Sequence, residues 1–141
     1  MATRNWAGQD HMSLLANLAD DPRAHHVFLA LRIIEAHYSS APRLGESRRP
    51  REDRIRLGQE VSLAFPANTL TRFEPATDST PGKLDNSFFG FFGPQGPLPL
   101  HLTEFARDRL RNHRDPTFIS FADMLTHRMM SLLYRAWVAA E

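Results

Sequence analysis

Cysteine is absent from the 141 residues, which excludes disulfides and thiolate zinc sites and leaves the fold to hold without covalent staples. A reducing compartment, the cytoplasm, fits this usage. Lysine is almost absent as well: Lys83 stands alone among seventeen basic residues, the rest being arginine. Against sixteen acidic residues the net charge is only +1, so no global field draws the chain to nucleic acid or to a membrane surface. No stretch approaches the roughly 18 apolar residues of a membrane span, and the opening MATRNWAGQDHM has no apolar core of signal-peptide length. The expectation is a soluble, unexported protein with no direct membrane insertion.

What is present is globular. With 42% hydrophobic and 23% charged residues, the chain has the balance of one domain able to bury about two-thirds of its unfolded surface. The segment HMSLLANLADDP reads as a short helix with Leu14, Leu15 and Leu18 on one face. Asp21 then caps a second helix with Pro22 at its first position, where a missing N–H costs nothing. From Arg23 to about Tyr38, Val27, Leu31, Ile34 and Tyr38 recur at helical spacing with Phe28 beside them. Between Pro42 and Arg56 the periodicity vanishes, and six arginines (Arg43, Arg48, Arg49, Arg51, Arg54, Arg56) meet Glu46, Glu52 and Asp53. Residues 42–56 therefore read as an arginine-rich, solvated loop. They lack an aromatic for base stacking, which argues against a nucleic-acid module and gives no nucleic-acid partner.

Val61, Leu63 and Phe65 alternate with smaller or polar residues before Pro66, the pattern of a half-buried strand. Thr69 to Glu74 is a second strand candidate, and Pro75 to Ser87 is polar and turn-rich. After Pro99, Leu102, Phe105 and Leu110 suggest a helix to about Asn112, and Asp115 with Pro116 repeats the start signal of the earlier helix. The last stretch carries Ile119, Leu125, Met129, Leu132, Leu133, Ala136 and Trp137, an apolar face so wide that other elements must cover it. The class is α+β, mostly helical with a few short strands, an incomplete domain relying on partner subunits.

The run GFFGPQGPLPLHLTEF, Gly90 to Phe105, invites two readings. A phosphate cradle needs consecutive N–H donors leading into a helix, and Pro94, Pro97 and Pro99 remove them. A structural joint fits better: Pro94 and Gly96 suit the second and fourth positions of a type I turn, and the residues before Pro97 and Pro99 are pushed toward extended conformation. Phe88, Phe89, Phe91 and Phe92 flank the turn and are each worth about 1.5–3 kcal/mol if fully buried, in a core or in a subunit interface.

His101 and Glu104, three residues apart, share a helix face as paired metal ligands do, with His113 or His127 as a third ligand the fold would have to supply. That set defines the alternative function, a metal-dependent enzyme or metal-binding domain using His101, Glu104 and His127. The competing account places Glu104 in a first helical turn, where Thr103 or the helix dipole explains an acid without a metal. No serine-centred elbow or HExxH accompanies the histidines. Arg128 and Arg135 share a face of the last helix with no acidic residue at the i±4 positions, so their partners come from elsewhere. A buried pair between Glu104 and Arg128 would fix how the last two helices dock.

Gly90 to Arg109 followed by DPTFISFADMLTHRMMSLLYRAW, with the earlier VFLALRIIE and IRLGQEVSLAFP, resembles the N-terminal half of TssG, a wedge protein of the type VI secretion baseplate. The most specific parts are Gly93 to Pro99 and His127 to Trp137. The resemblance implies an assembly role with no catalytic residues and no cofactor: two copies of TssF bridged, and TssK, TssE and the sheath connected, in a cytoplasmic baseplate docked at the inner-membrane complex. It also implies that residues 1–141 are the N-terminal portion of a longer subunit, with the region gripping TssK expected beyond Glu141. On this reading the interface or joint residues are Phe89, Phe91, Phe92, Gly93, Pro94, Gly96, Pro97, Pro99, Glu104, Arg128, Arg135 and Trp137.

Overall fold

Two helices open the chain. In the computed structural model, which describes residues 6–141, α1 spans Trp6–Asp20 and α2 spans Val27–His37. Residues 1–5, the start of the stretch read for a leader, lie outside the described residues. Leu15 and Leu18 of α1 are buried, whereas Leu14 is exposed. Neighbouring residues project about 100° apart on a helix, so the buried stripe is one position narrower than expected. Pro22–Ala24 forms a single 3-10 turn, and α2 starts four residues after Arg23. Asp21 makes no capping bond; His26 does, its Nδ1 accepting the Phe28 N–H at 3.3 Å. The predicted stripe of Val27, Leu31 and Ile34 is fully buried, with Tyr38 half-buried at its end.

A three-stranded sheet follows in the order β1-β3-β2, from β1 (Ile55–Gln59), β2 (Leu70–Glu74) and β3 (Gly82–Asn86). The central β3 runs parallel to β1 and antiparallel to β2. The strand expected at 61–65 is not formed: that stretch is irregular and Phe65 is 74% exposed. The true strand lies six residues earlier, where Ile55 and Leu57 are buried. Residues 42–56 are consequently not one solvated loop. Pro50–Glu52 is a 3-10 turn, Ile55 and Arg56 belong to β1, and Leu44, Gly45 and Asp53 are buried.

Helices α3 (Leu100–His113) and α4 (Thr117–Ala140) complete the α+β fold. Asp115 builds the corner between them. Its Oδ1 accepts the Thr117 N–H at 3.1 Å and the Thr117 hydroxyl at 2.6 Å, and its Oδ2 accepts from Arg109 at 2.6 Å. The hydrogen bonds from Thr117, then that from Arg109, hold its carboxyl well below the usual range. Helix α3 buries Thr103 and Ala106 rather than Phe105 and Leu110, which face outward. The main core joins α1, α2, the sheet and Met130 and Tyr134 of α4; a smaller one gathers Phe92, Ala106, Ile119 and Ala122.

Candidate functional site

The aromatic-proline run is a joint stitched by two buried side-chain amides. Gln59, at the end of β1, donates from Nε2 to the Phe92 carbonyl and accepts the Phe92 N–H at Oε1, both at 2.9 Å. Asn86, at the end of β3, donates to the Gly58 carbonyl at 2.7 Å while its Oδ1 accepts the N–H groups of Phe88 (3.1 Å) and Phe89 (2.7 Å). Each amide imitates a backbone unit and extends the sheet's hydrogen bonding into an irregular segment, which a buried backbone requires. Sequence reasoning missed both residues. An asparagine directly before a tight run is a cue for an Asx turn, and "DNSFF" carries it.

Beyond Phe92 the chain reverses as a turn closed by the Gly96 N–H on the Gly93 carbonyl at 3.1 Å, with Pro94 at its second position. Gly93, at φ +94°, donates its N–H to the Thr103 hydroxyl at 3.0 Å, which docks the turn on α3. Thr103 is thereby committed, and no side chain caps α3, whose N-cap is Pro99. Pro97 and Pro99 are exposed. The N–H groups of Phe92, Gly93 and Gly96 are spent internally, so these three are not available to hold an anion. Phe92 is buried in the smaller core, Phe91 and Phe89 are half-buried, and Phe88 is exposed.

Helix α4 closes the free edge of β1. The Gln59 N–H is accepted by Asp123 Oδ1 at 3.2 Å and the Leu57 N–H by His127 Nδ1 at 3.0 Å. Four residues of helix rise about 6 Å and two residues of strand about 6.6 Å, so an i,i+4 pair matches alternate strand N–H groups. Because His127 Nδ1 accepts, its Nε2 carries the proton and donates to Asp53 Oδ2 at 2.9 Å. That pair has the look of a catalytic dyad, but both ring nitrogens are occupied by structure. His101 and Glu104 are exposed on α3, away from these partners, and among the described residues no three such side chains gather where a metal could be held.

Beside this edge, two carboxylates converge over Gly58: a Cβ there would lie 2.8 Å from Asp85 Oδ1 and 2.8 Å from Asp123 Oδ2. Burial, then the Asp85 charge, pushes the Asp123 carboxyl up to about 6 against the opposing Gln59 N–H and Lys83. Burial raises Asp85 as well. An acid with a raised folded pKa binds more protons in the folded than in the unfolded chain between about pH 4 and pH 6, so stability falls as pH rises through that window. Asp123→Asn keeps the acceptor for Gln59 and removes the charge. Discounted for partial exposure, it is expected to raise stability by about 1–2 kcal/mol at pH 7.5 and by almost nothing at pH 4. Urea midpoints at the two pH values check this; an equal gain at both would assign the effect to packing.

The missing partners of Arg128 and Arg135 come from the arginine-rich segment. Both guanidinium groups donate to the Gly45 carbonyl, at 3.5 and 3.1 Å, and Arg135 also meets Glu46 at 3.1 Å. Gly45, at φ +84°, is what allows the approach: a Cβ there would sit 3.2 Å from the Ser131 carbonyl oxygen. Glu104 pairs with neither arginine. Trp137 stacks on Phe28 with ring centroids 4.9 Å apart, and the Arg32 guanidinium lies over the Trp137 ring at 5.2 Å from its centroid, joining α4 to α2.

Only part of the wide apolar face of α4 is covered. Ile119, Ala122, Met130 and Tyr134 are buried, while Phe121 (59%), Leu125 (46%) and Leu132 (45%) are exposed with Met129 and Leu133. Buried polar groups that join segments, together with an outward apolar helix face, define a packing unit of the α+β class. The chain belongs to the TssG family: the family model described as type VI secretion, TssG, matches residues 21–141, which makes the protein a type VI secretion component. No significant match was found among curated proteins or among solved structures. Among the described residues no helix is long and apolar enough to cross a membrane.

Proposed function

We propose that the chain is a non-catalytic structural part of the baseplate wedge, bridging copies of TssF and helping to connect TssK, TssE and the sheath on the cytoplasmic side of the inner-membrane complex. The observation that carries this reading is the outward face of α4, where Phe121, Leu125, Met129, Leu132 and Leu133 lie uncovered on a helix whose opposite face is anchored in the core. Large apolar patches of this kind seek a partner. Co-expression with tagged TssF tests it. The chain is expected to co-purify with TssF and to self-associate without it, and Leu125→Ser with Leu132→Ser to reduce capture about tenfold or more, as loss of two central interface side chains does. Undiminished capture by that variant would remove α4 from the TssF interface, and no capture of the unmodified chain would remove the bridging role.

A further inference from the structure

Helix α4 presents two exposed strips side by side. Phe121, Leu125, Met129 and Leu132 form the apolar one; Met124 (68% exposed), Arg128 and Arg135 form the other. The second strip is one wall of a recess of about 700 Å³ whose other wall carries Arg48 and Arg49. The carboxylates of this recess are already engaged: Glu46 with Arg135 at 3.1 Å and Asp53 with His127 at 2.9 Å. Glu52, at the base of the segment, accepts the backbone N–H groups of Arg48 and Arg49 at 2.8 and 3.3 Å. Among the described residues, Arg48, Arg49 and Arg128 therefore have no carboxylate partner.

We propose that strip and recess together bind an acidic amphipathic helix of a partner protein, its apolar face on Phe121, Leu125 and Leu132 and its carboxylates on Arg48, Arg49 and Arg128. Guanidinium groups match carboxylates in bidentate geometry, and the mixture of arginine, methionine and phenylalanine is that of protein interfaces. Nucleic acid fits less well, because no Phe, Tyr or Trp lines the recess to stack a base, its one imidazole, His127, is held by Leu57 and Asp53, and the net charge is +1. A second α4 cannot supply the charge: Asp123 is its one acidic residue, and it is committed to Gln59. This chemistry holds whichever secretion subunit supplies the helix, and its test is separate from TssF capture.

The full chain, sparsely immobilised so that self-association does not compete, is titrated with two synthetic helices of about three heptads sharing one leucine seam, one flanked by glutamate and one by lysine. The glutamate helix is expected to bind at least about tenfold more tightly, and Arg48→Glu with Arg49→Glu to weaken it about tenfold. These two side chains are exposed, so the circular dichroism spectrum and urea midpoint stay unchanged. Arg128→Gln is expected to weaken the same helix, and Leu132→Ser to weaken both. Equal binding of the two helices, binding of neither, indifference to both arginine variants, or displacement of the glutamate helix by duplex DNA would each overturn the proposal.

Discussion

Asn86→Leu is expected to lower the thermal midpoint by about 10–15 °C, because it strands three backbone groups at once. The Gly58 carbonyl loses its donor, and the N–H groups of Phe88 and Phe89 lose their acceptor. Each polar group left unmet in a buried site costs about 1–3 kcal/mol; with Phe88 partly exposed, the sum is about 3–5 kcal/mol. Leucine has the same branched four-atom side chain as asparagine, with larger methyl groups in place of the amide atoms, so a cavity is not the cause. Differential scanning fluorimetry beside Gln95→Leu, an exposed change in the same run, measures it. A shift for Asn86→Leu no larger than that control would leave the joint held by aromatic packing alone.

Gly90→Ala is expected to cost about 3–4 kcal/mol for a different reason. Gly90 sits at φ +150°, a conformation alanine avoids, and a Cβ would overlap Oε1 of Gln59. Gln59 has no room to yield without giving up both amide bonds to Phe92. The double-mutant cycle separates the two contributions. In a Gln59→Ala background the overlap with Oε1 and Cδ is gone, and what remains is backbone strain plus a tight 3.0 Å contact with the retained Cβ, together about 1–2 kcal/mol. The same cost in both backgrounds would show that strain, not the amide pair, is what Gly90 protects.

These two residues also show why the sequence discloses some of the fold and withholds the rest. Proline and glycine act locally, so the turn at Gly93 to Gly96 can be read from its letters, as can the α2 stripe and the excess apolar width of α4. The central strand β3 cannot, because GKLDN has one large apolar residue and buries Asp85 and Asn86. A buried amide and a surface amide are the same letter; what distinguishes Gln59 is a partner 33 residues away. The strand expected at Val61 to Phe65 fails by the same logic. Its alternation is real, but α4 takes the edge of β1 instead, and Val61 packs into the smaller core. The predicted partnership of Glu104 with Arg128 relied on adjacent helices, whereas the acceptor proved to be the carbonyl of Gly45.

The match between Asp123, His127 and the alternate N–H groups of β1 has a mechanical consequence. Because Asp123 meets Gln59 and His127 meets Leu57, α4 runs antiparallel to β1 and is fastened at two points along one line. A pull along the helix loads both fastenings together, with Asp53 bracing the second, so they share the force instead of parting one after the other. A pull at right angles would peel them singly. The same contacts therefore make the unit stiff along α4 and weak across it, so a load applied along the helix meets its strong direction.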